Sequence, residues 1–142
     1  MISTSNQRRK FVVASSLAVF APMLSASMPA VAAESERTKK VLDHHLGAFA
    51  KGLDEIMLDY TDLSIILAGG AKFSGLKEIR GFFDGFLKGV KPGFWEAFKL
   101  NSKVVEKDVA YIVWEAKPFV TLATDTVVVR KGKIHIQTFT SA

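Results

Sequence analysis

The chain of 142 residues is long enough for one modest domain with a buried core, and 49% of its residues are hydrophobic. It contains no cysteine, which excludes disulfide bonds, thiol catalysis and thiolate metal sites. The formal charge is +5, but three of the 19 basic residues lie in a predicted leader. Without these three, 16 basic residues remain against 14 acidic ones, which is too even a balance to predict nucleic-acid binding.

The first 33 residues predict an exported protein. A basic cluster at residues 8–10 is followed by an uncharged apolar run from Phe11, and the segment ends in small residues. This order is typical of a secretory signal peptide, and we expect cleavage after Ala33 or Ala32.

The cluster at residues 8–11 also resembles the twin-arginine export signal, which carries cargo that has already folded. Gln7 and Val12 depart from the residues usual in that signal. The alternative to a cleaved leader is a membrane anchor, which Pro22 and Pro29 disfavour because they interrupt the apolar run. We therefore expect a periplasmic or secreted protein, exported by the twin-arginine or the general secretory route, that is not inserted in a membrane after cleavage.

The remaining chain predicts helices first and a run of strands last, which is an α+β order. Residues 34–40 are polar and are predicted to be a flexible lead-in, so the predicted domain covers residues 41–142. Apolar residues at three- and four-residue spacing predict helices, namely Thr38–Lys51, one or two further turns in residues 53–60, and Leu76–Val90. Segments rich in branched and aromatic residues predict two short strands at residues 63–67 and 71–75 and four longer ones at 94–105, 109–117, 119–130 and 133–140.

The chain from residue 41 to 139 resembles a known family in three segments, namely GLDEIMLDYTDLSII, KFSGLKEIRGFFDGF and ATDTVVVRKGKIHIQTF. Together they resemble the nuclear-transport-factor-2-like (NTF2-like) superfamily, in its SnoaL-like and ketosteroid-isomerase-like branch. The resemblance implies a cone-shaped, strongly curved antiparallel sheet closed by three N-terminal helices, also called a cystatin-like roll. It further implies a hollow that binds a small apolar or amphipathic molecule, and a homodimer formed through the outer sheet face.

Asp125 is the residue for which the resemblance implies most. The matching Asp of ketosteroid isomerases points into the apolar cone, where burial disfavours ionisation and the neutral acid donates a hydrogen bond to the ligand. The alternative is that Asp125 only accepts hydrogen bonds from a turn or pairs with a lysine. Those enzymes also need a carboxylate base, and the position implied for it holds Ala68. The sequence therefore predicts ligand binding without ketosteroid-isomerase chemistry.

Two histidines could accompany Asp125. The resemblance places His44 at the first-helix position that holds a tyrosine hydrogen-bond donor in ketosteroid isomerases; the alternative is a partly exposed helix histidine. His44 and His45 point about 100° apart on a helix, so they cannot chelate one metal ion together. The scattered histidines predict no metal site, and no cofactor is expected.

The position of His135 depends on the register of the last hairpin. A three-residue loop at residues 130–132 places Asp125 opposite Gln137 and puts His135 on the face of Asp125. A two-residue loop would put His135 on the other face. Because Lys131 is a poor residue for the positive φ of the shorter loop, we predict the longer one.

Three functions stay open. The first is a binding module for a small molecule, with Tyr60, Phe83, Trp114, Gln137 and Phe139 as ligand contacts. The second is an isomerase, cyclase or lyase with Asp125, His44 and His135 as catalytic residues; polyketide cyclases of the resembling branch use a His and an Asp in the cavity. The third is a homodimeric interaction domain, whose apolar outer sheet face holds Thr124, Thr126, Val128, Ile134, Ile136 and Thr138.

Overall fold

The structure, a computed structural model, describes residues 27–142, so most of the predicted signal peptide lies outside the described residues. The predicted α+β class is confirmed. The helices are α1 (Ser27–Ala48), α2 (Leu53–Met57), α3 (Gly75–Gly89) and α4 (Phe94–Ala97), and the strands are β1 (Ile65–Ala68), β2 (Ala71–Ser74), β3 (Phe98–Glu106), β4 (Val109–Ala116), β5 (Val120–Arg130) and β6 (Lys133–Ser141). In this part of the chain, no helix is both long enough and apolar enough to cross a membrane.

The strands form one curved, open sheet of six strands in the order β2-β1-β6-β5-β4-β3. Strands β3 to β6 are the predicted antiparallel meander. Strand β1, however, runs parallel to β6, so the sheet is mixed and not wholly antiparallel. Parallel neighbours require a long connection, and all elements from β2 to β5 lie between these two strands. Bulges in the β3–β4 and β4–β5 pairs increase the local twist and bend the sheet.

The helices cover the concave face of the sheet. Within residues 27–142, two helices, α1 and α2, precede the first strand. Helix α3 is amphipathic as predicted and buries Ile79 and Phe83. Residues 94–97, predicted as the start of a strand, form the short helix α4 instead. Gly93 precedes this helix with φ 84°, a left-handed conformation that glycine adopts without strain, and this turn sets the helix apart from β3.

The expected lead-in, residues 34–40, is part of helix α1. Two side chains of this segment bind the turn between β3 and β4. The Thr38 hydroxyl donates to the carbonyl oxygen of Lys107 at 2.7 Å, and the Lys107 amide donates to Ser35 Oγ at 2.9 Å. Thr38 is 1% exposed. These polar contacts hold the middle of α1 against the turn between β3 and β4.

The last hairpin has the two-residue loop, so the predicted three-residue loop is wrong. Lys131 and Gly132 have φ of 51° and 71°, and Arg130 pairs with Lys133. Two consecutive positive φ angles define the type I′ class of turn, which matches the twist of antiparallel strands. The fit of this turn to the strands outweighs the poor preference of lysine for positive φ.

A bulge next to this turn corrects the register. Val129 pairs with Ile134 and Val128 with Ile136, which leaves His135 as the extra residue. Asp125 consequently lies opposite Phe139 and not opposite Gln137. The bulge also turns Ile134 into the core, where it is 0% exposed, so Ile134 does not belong to the outer face on which we expected it.

Candidate functional site

A cavity of about 360 Å³ lies between the helices and the concave face of the sheet. This volume is in the range of sites for small molecules. Its wall is mostly aromatic and includes Phe49, Phe82, Phe83, Phe86, Phe94, Trp95, Phe98, Trp114 and Phe139. Of the described residues that line it, His45, Asp125 and Gln137 add side chains with ionisable or amide groups. The cavity therefore combines a large apolar surface with a few polar groups.

Asp125 is buried in this wall, with 7% of its surface exposed. Trp114 Nε1 donates to Asp125 Oδ2 at 2.8 Å, and Gln137 Nε2 donates to Asp125 Oδ1 at 2.9 Å. The Tyr60 hydroxyl donates in turn to Gln137 Oε1. Each carboxyl oxygen thus accepts one hydrogen bond from a buried side chain.

The strand register brings these groups together. Asp125 on β5 pairs with Ile112 on β4 and with Phe139 on β6. Trp114 and Gln137 each lie two residues along the neighbouring strand from these partners, and such diagonal neighbours are within reach of long side chains. Trp114 also stacks on Phe139 with ring centroids 6.1 Å apart.

Burial raises the pKa of the Asp125 carboxyl group above its usual value, while the hydrogen bonds from Trp114 and Gln137 and the nearby His45 oppose this shift. The pKa of Tyr60 is raised well above its usual value, first by burial and then by the negative charges of Asp59 and Asp125. Tyr60 is therefore a protonated donor over the whole neutral range.

His44 does not line the cavity. Its side chain is 37% exposed, with Nδ1 2.7 Å from Asp59 Oδ1 and Nε2 3.1 Å from Glu55 Oε1. These two hydrogen bonds raise the pKa of His44. His135 occupies the bulge of β6 and is also not among the lining residues. The expectation that these histidines join Asp125 in the cavity is wrong, because one lies off the inward face of α1 and the other depended on the incorrect register.

His45 is the residue that the sequence analysis missed. It lines the cavity at 4% exposure and packs edge-on against Phe49, with ring centroids 5.2 Å apart. Leu42, His45, Leu46 and Phe49 follow the spacing of one helix face, and this pattern could have identified it.

Behind His45 lies a buried carboxylate, Asp59. The distance from His45 Nδ1 to Asp59 Oδ2 is 3.3 Å, yet neither atom has a well-aligned hydrogen-bond partner among the residues that the structure describes. Asp59 is 5% exposed. A histidine on the cavity wall thus has an acidic group directly behind it.

Of the predicted ligand contacts, Phe83, Trp114, Gln137 and Phe139 line the cavity. Tyr60 does not line it but lies behind Gln137, which it orients. Their contact with a ligand stays a prediction. Residues 27–142 contain no group of three side chains that could hold a metal ion.

The sequence matches no protein-family profile and no curated protein. Similar solved structures include an NTF2-like protein of unknown function from Burkholderia xenovorans LB400, at 18% identity and a TM-score of 0.62 over 77% of this chain and 85% of that chain. Another is an NTF2-like protein of unknown function from Mesorhizobium loti, at 17% identity and a TM-score of 0.62 over 77% and 93%. A SnoaL-like protein of unknown function from Burkholderia thailandensis E264 is similar at 12% identity and a TM-score of 0.60 over 75% and 95%. The chain therefore has the NTF2-like fold.

The substitution Asp125→Asn tests whether burial raises the pKa of the Asp125 carboxyl group. Because the pKa of Asp125 is raised on folding, its contribution to stability is present at low pH and is lost as the pH rises through the folded-state pKa. Asparagine does not ionise. Between about pH 3 and pH 7 we expect the free energy of unfolding of D125N to rise relative to the unsubstituted protein, by about 1.4 kcal/mol for each unit of the pKa shift.

Denaturant unfolding at a series of pH values checks this, with Asp43→Asn as the matched control. Lys103 and Lys39 lower the pKa of the exposed Asp43, so the relative stability of D43N should move in the opposite direction. A relative stability of D125N that falls with rising pH would contradict the raised pKa.

Proposed function

We propose that the domain binds one small, largely aromatic or apolar molecule in the cavity and holds a polar group of that molecule at Asp125, Gln137 and His45. The observation that carries this proposal is the aromatic cavity of about 360 Å³ with these three polar side chains in its wall. A ligand in a cavity of this size would gain packing contacts with the surrounding side chains. Aromatic rings also bind flat apolar molecules well.

The exposed part of the wall indicates where a ligand enters. Ala50, just after α1, is exposed, and Trp95 on α4 is 43% exposed, while His45 and Asp125 lie deep in the wall. A molecule that enters between α1 and α4 would place its leading end against the polar groups. Its polar group is therefore expected at that leading end.

The polar groups favour a ligand oxygen or nitrogen. Each oxygen of Asp125 has a further lone pair, so the carboxylate can accept from a ligand hydroxyl, and the neutral acid can donate to a carbonyl oxygen. Asp125 is the one carboxylate among the described residues that line the cavity. A second carboxylate base is thus lacking there, and this supports binding without ketosteroid-isomerase chemistry.

A second candidate function is an isomerase, cyclase or lyase. The observation that favours it is His45 on the cavity wall with Asp59 behind it, since such a pair can move a proton in a bound molecule. His45 takes the place in this candidate that the sequence analysis gave to His44 and His135. If the protein converts a bound molecule to a product and His45→Gln abolishes this reaction, the enzyme is favoured over the binding module.

Leu46→Trp tests the proposed binding site. Leu46 lines the cavity, so the larger ring should fill it; Leu53 packs on the core outside the cavity, and Leu53→Trp is the matched control. We expect calorimetry with 2-methoxynaphthalene to show one bound molecule per chain and about tenfold weaker binding, or about 1.4 kcal/mol, in L46W. L53W should bind like the unsubstituted protein. Equal binding by all three proteins, or binding by none, would refute the site.

We also propose that the protein is exported and that residues 1–33, or 1–32, are removed as a signal peptide. Ser35 and Thr38, which hold α1 to the β3–β4 turn, follow the predicted cleavage position and would be kept. N-terminal sequencing of protein from the periplasmic or secreted fraction should begin at Glu34 or Ala33. A first residue at the original N-terminus would contradict cleavage.

We propose that the outer sheet face, defined now by Thr124, Thr126, Val128, Ile136 and Thr138, joins two copies of the chain. Branched side chains dominate it, and charged groups are few. At micromolar concentration, sedimentation should give a dimer for the unsubstituted protein and a monomer for Val128→Lys. Leu63→Lys, at a 75% exposed position before β1, should stay dimeric. A monomer without any substitution would overturn the proposal.

A further inference from the structure

Asp59 lies between two histidines of α1. Its Oδ1 atom is 2.7 Å from Nδ1 of His44, and its Oδ2 atom is 3.3 Å from Nδ1 of His45. His44 faces solvent at 37% side-chain exposure, whereas the side chains of Asp59 and His45 are 7% and 5% exposed. The three groups therefore form a line from the protein surface to the cavity wall.

We propose that His45, with Asp59 behind it, makes the cavity a site for a weak acid such as a phenol or an enol, which is bound as its anion. The proton moves from the ligand oxygen to Nε2 of His45, and the resulting imidazolium directs its Nδ1 proton to Asp59. No other reactant is needed. This inference rests on the proposed binding function and specifies the chemical class of the ligand.

The first support is the unpaired state of the two facing atoms. His45 Nδ1 and Asp59 Oδ2 are buried, and neither has a hydrogen-bond partner within residues 27–142. A buried donor or acceptor without a partner is costly. Their separation is short enough for a small rotation of the ring to align them, as often happens when a catalytic or binding site is filled. Protonation of His45 would provide a buried cation for the Asp59 carboxylate.

The second support is the fixed position of Asp59. Its carbonyl oxygen accepts a hydrogen bond at 2.8 Å from the amide of Ile134, which the bulge of β6 turns inward. His44 binds the other carboxylate oxygen from the surface side. Since both the backbone and the side chain are held, Oδ2 is directed at His45. His44 is a positioning residue in this arrangement.

Charged and titratable groups from several elements face the two histidines. From α2 and the loop after it come the carboxylates of Glu55 and Asp59, with Lys51 bound to Glu55 on the exposed side. Tyr60 lies in the same loop as Asp59. Helix α3 contributes Phe83, which is not ionisable, and β5 contributes Asp125. Lys133 on β6 is bound to the carbonyl oxygen of Leu58. Carboxylates thus outnumber lysines around the two histidines, and the pKa of His44 is raised by Asp59 and Glu55.

The contact of His45 with aromatic rings leaves one direction for the ligand. Phe49, Tyr60 and Phe83 surround the imidazole with centroids 5.2, 5.7 and 5.8 Å away. Nδ1 is enclosed against Asp59, so Nε2 is the nitrogen left to meet a molecule in the cavity. A phenol or an enol fits this position because it joins a flat apolar body to one acidic oxygen.

Two probes of nearly the same shape test the proposal on the full domain. 4-Nitrophenol is yellow only as its anion, whereas 4-nitroanisole has no acidic proton. At about one unit below the pKa of free 4-nitrophenol, we expect the bound probe to be mostly ionised. Asp59→Asn should lower the ratio of ionised to neutral bound probe about tenfold, and His135→Gln, a histidine outside the cluster, should leave it unchanged. Absorbance titration measures both.

4-Nitroanisole separates the failure of this inference from the failure of the proposed function. If it binds equally to the unsubstituted protein and to D59N, the cavity is intact in both. 4-Nitrophenol that binds only as the neutral phenol, or an ionised fraction that is the same in D59N, then overturns the inference alone. Should neither probe bind to the unsubstituted protein, both proposals fail. If D59N does not fold, His45→Gln provides the same test with the same expected loss of colour.

Discussion

The hydrogen bonds that Trp114 and Gln137 donate to Asp125 are the interaction on which the site depends. A carboxyl group in an aromatic cavity is costly to bury unless its oxygens have partners. The two donors come from the strands on either side of β5, so both hydrogen bonds depend on the register of the meander. Curvature of the sheet then leaves the space in front of Asp125 open to a ligand.

The bulge at His135 affects residues on both sides of the cavity. It keeps Gln137 and Phe139 on the face of Asp125 although the turn is shorter than predicted. The same irregularity brings the amide of Ile134 to the carbonyl oxygen of Asp59. One extra residue in β6 therefore helps to position both Asp125 on the sheet and Asp59 behind His45. Bulges near functional sites often have this effect.

The sequence was informative where the pattern is local, and it misled where the structure depends on distant contacts. Hydrophobic periodicity was enough for α3 and the four-stranded meander, and the family resemblance indicated the fold. Neither the periodicity nor the resemblance indicated that Lys131 has a positive φ, because the twist of the flanking strands decides this. One residue along α1 is a rotation of about 100°, which separates His44 on the surface from His45 in the cavity. Residues 34–40 are helical and contact a turn distant in sequence, since Thr38 binds Lys107, 69 residues away, and local patterns do not report such a contact.

Crystallography of the protein grown with 2-bromonaphthalene would show whether the cavity binds a flat apolar molecule, because bromine is located by its anomalous scattering. We expect one bromine site inside the cavity, between Phe83 on α3 and Trp114 on β4, with the hydrogen bonds of Asp125 to Trp114 and Gln137 unchanged. A cavity filled by rearranged side chains with no bromine in it, or an Asp125 carboxyl group turned to bulk solvent, would rule out this binding site.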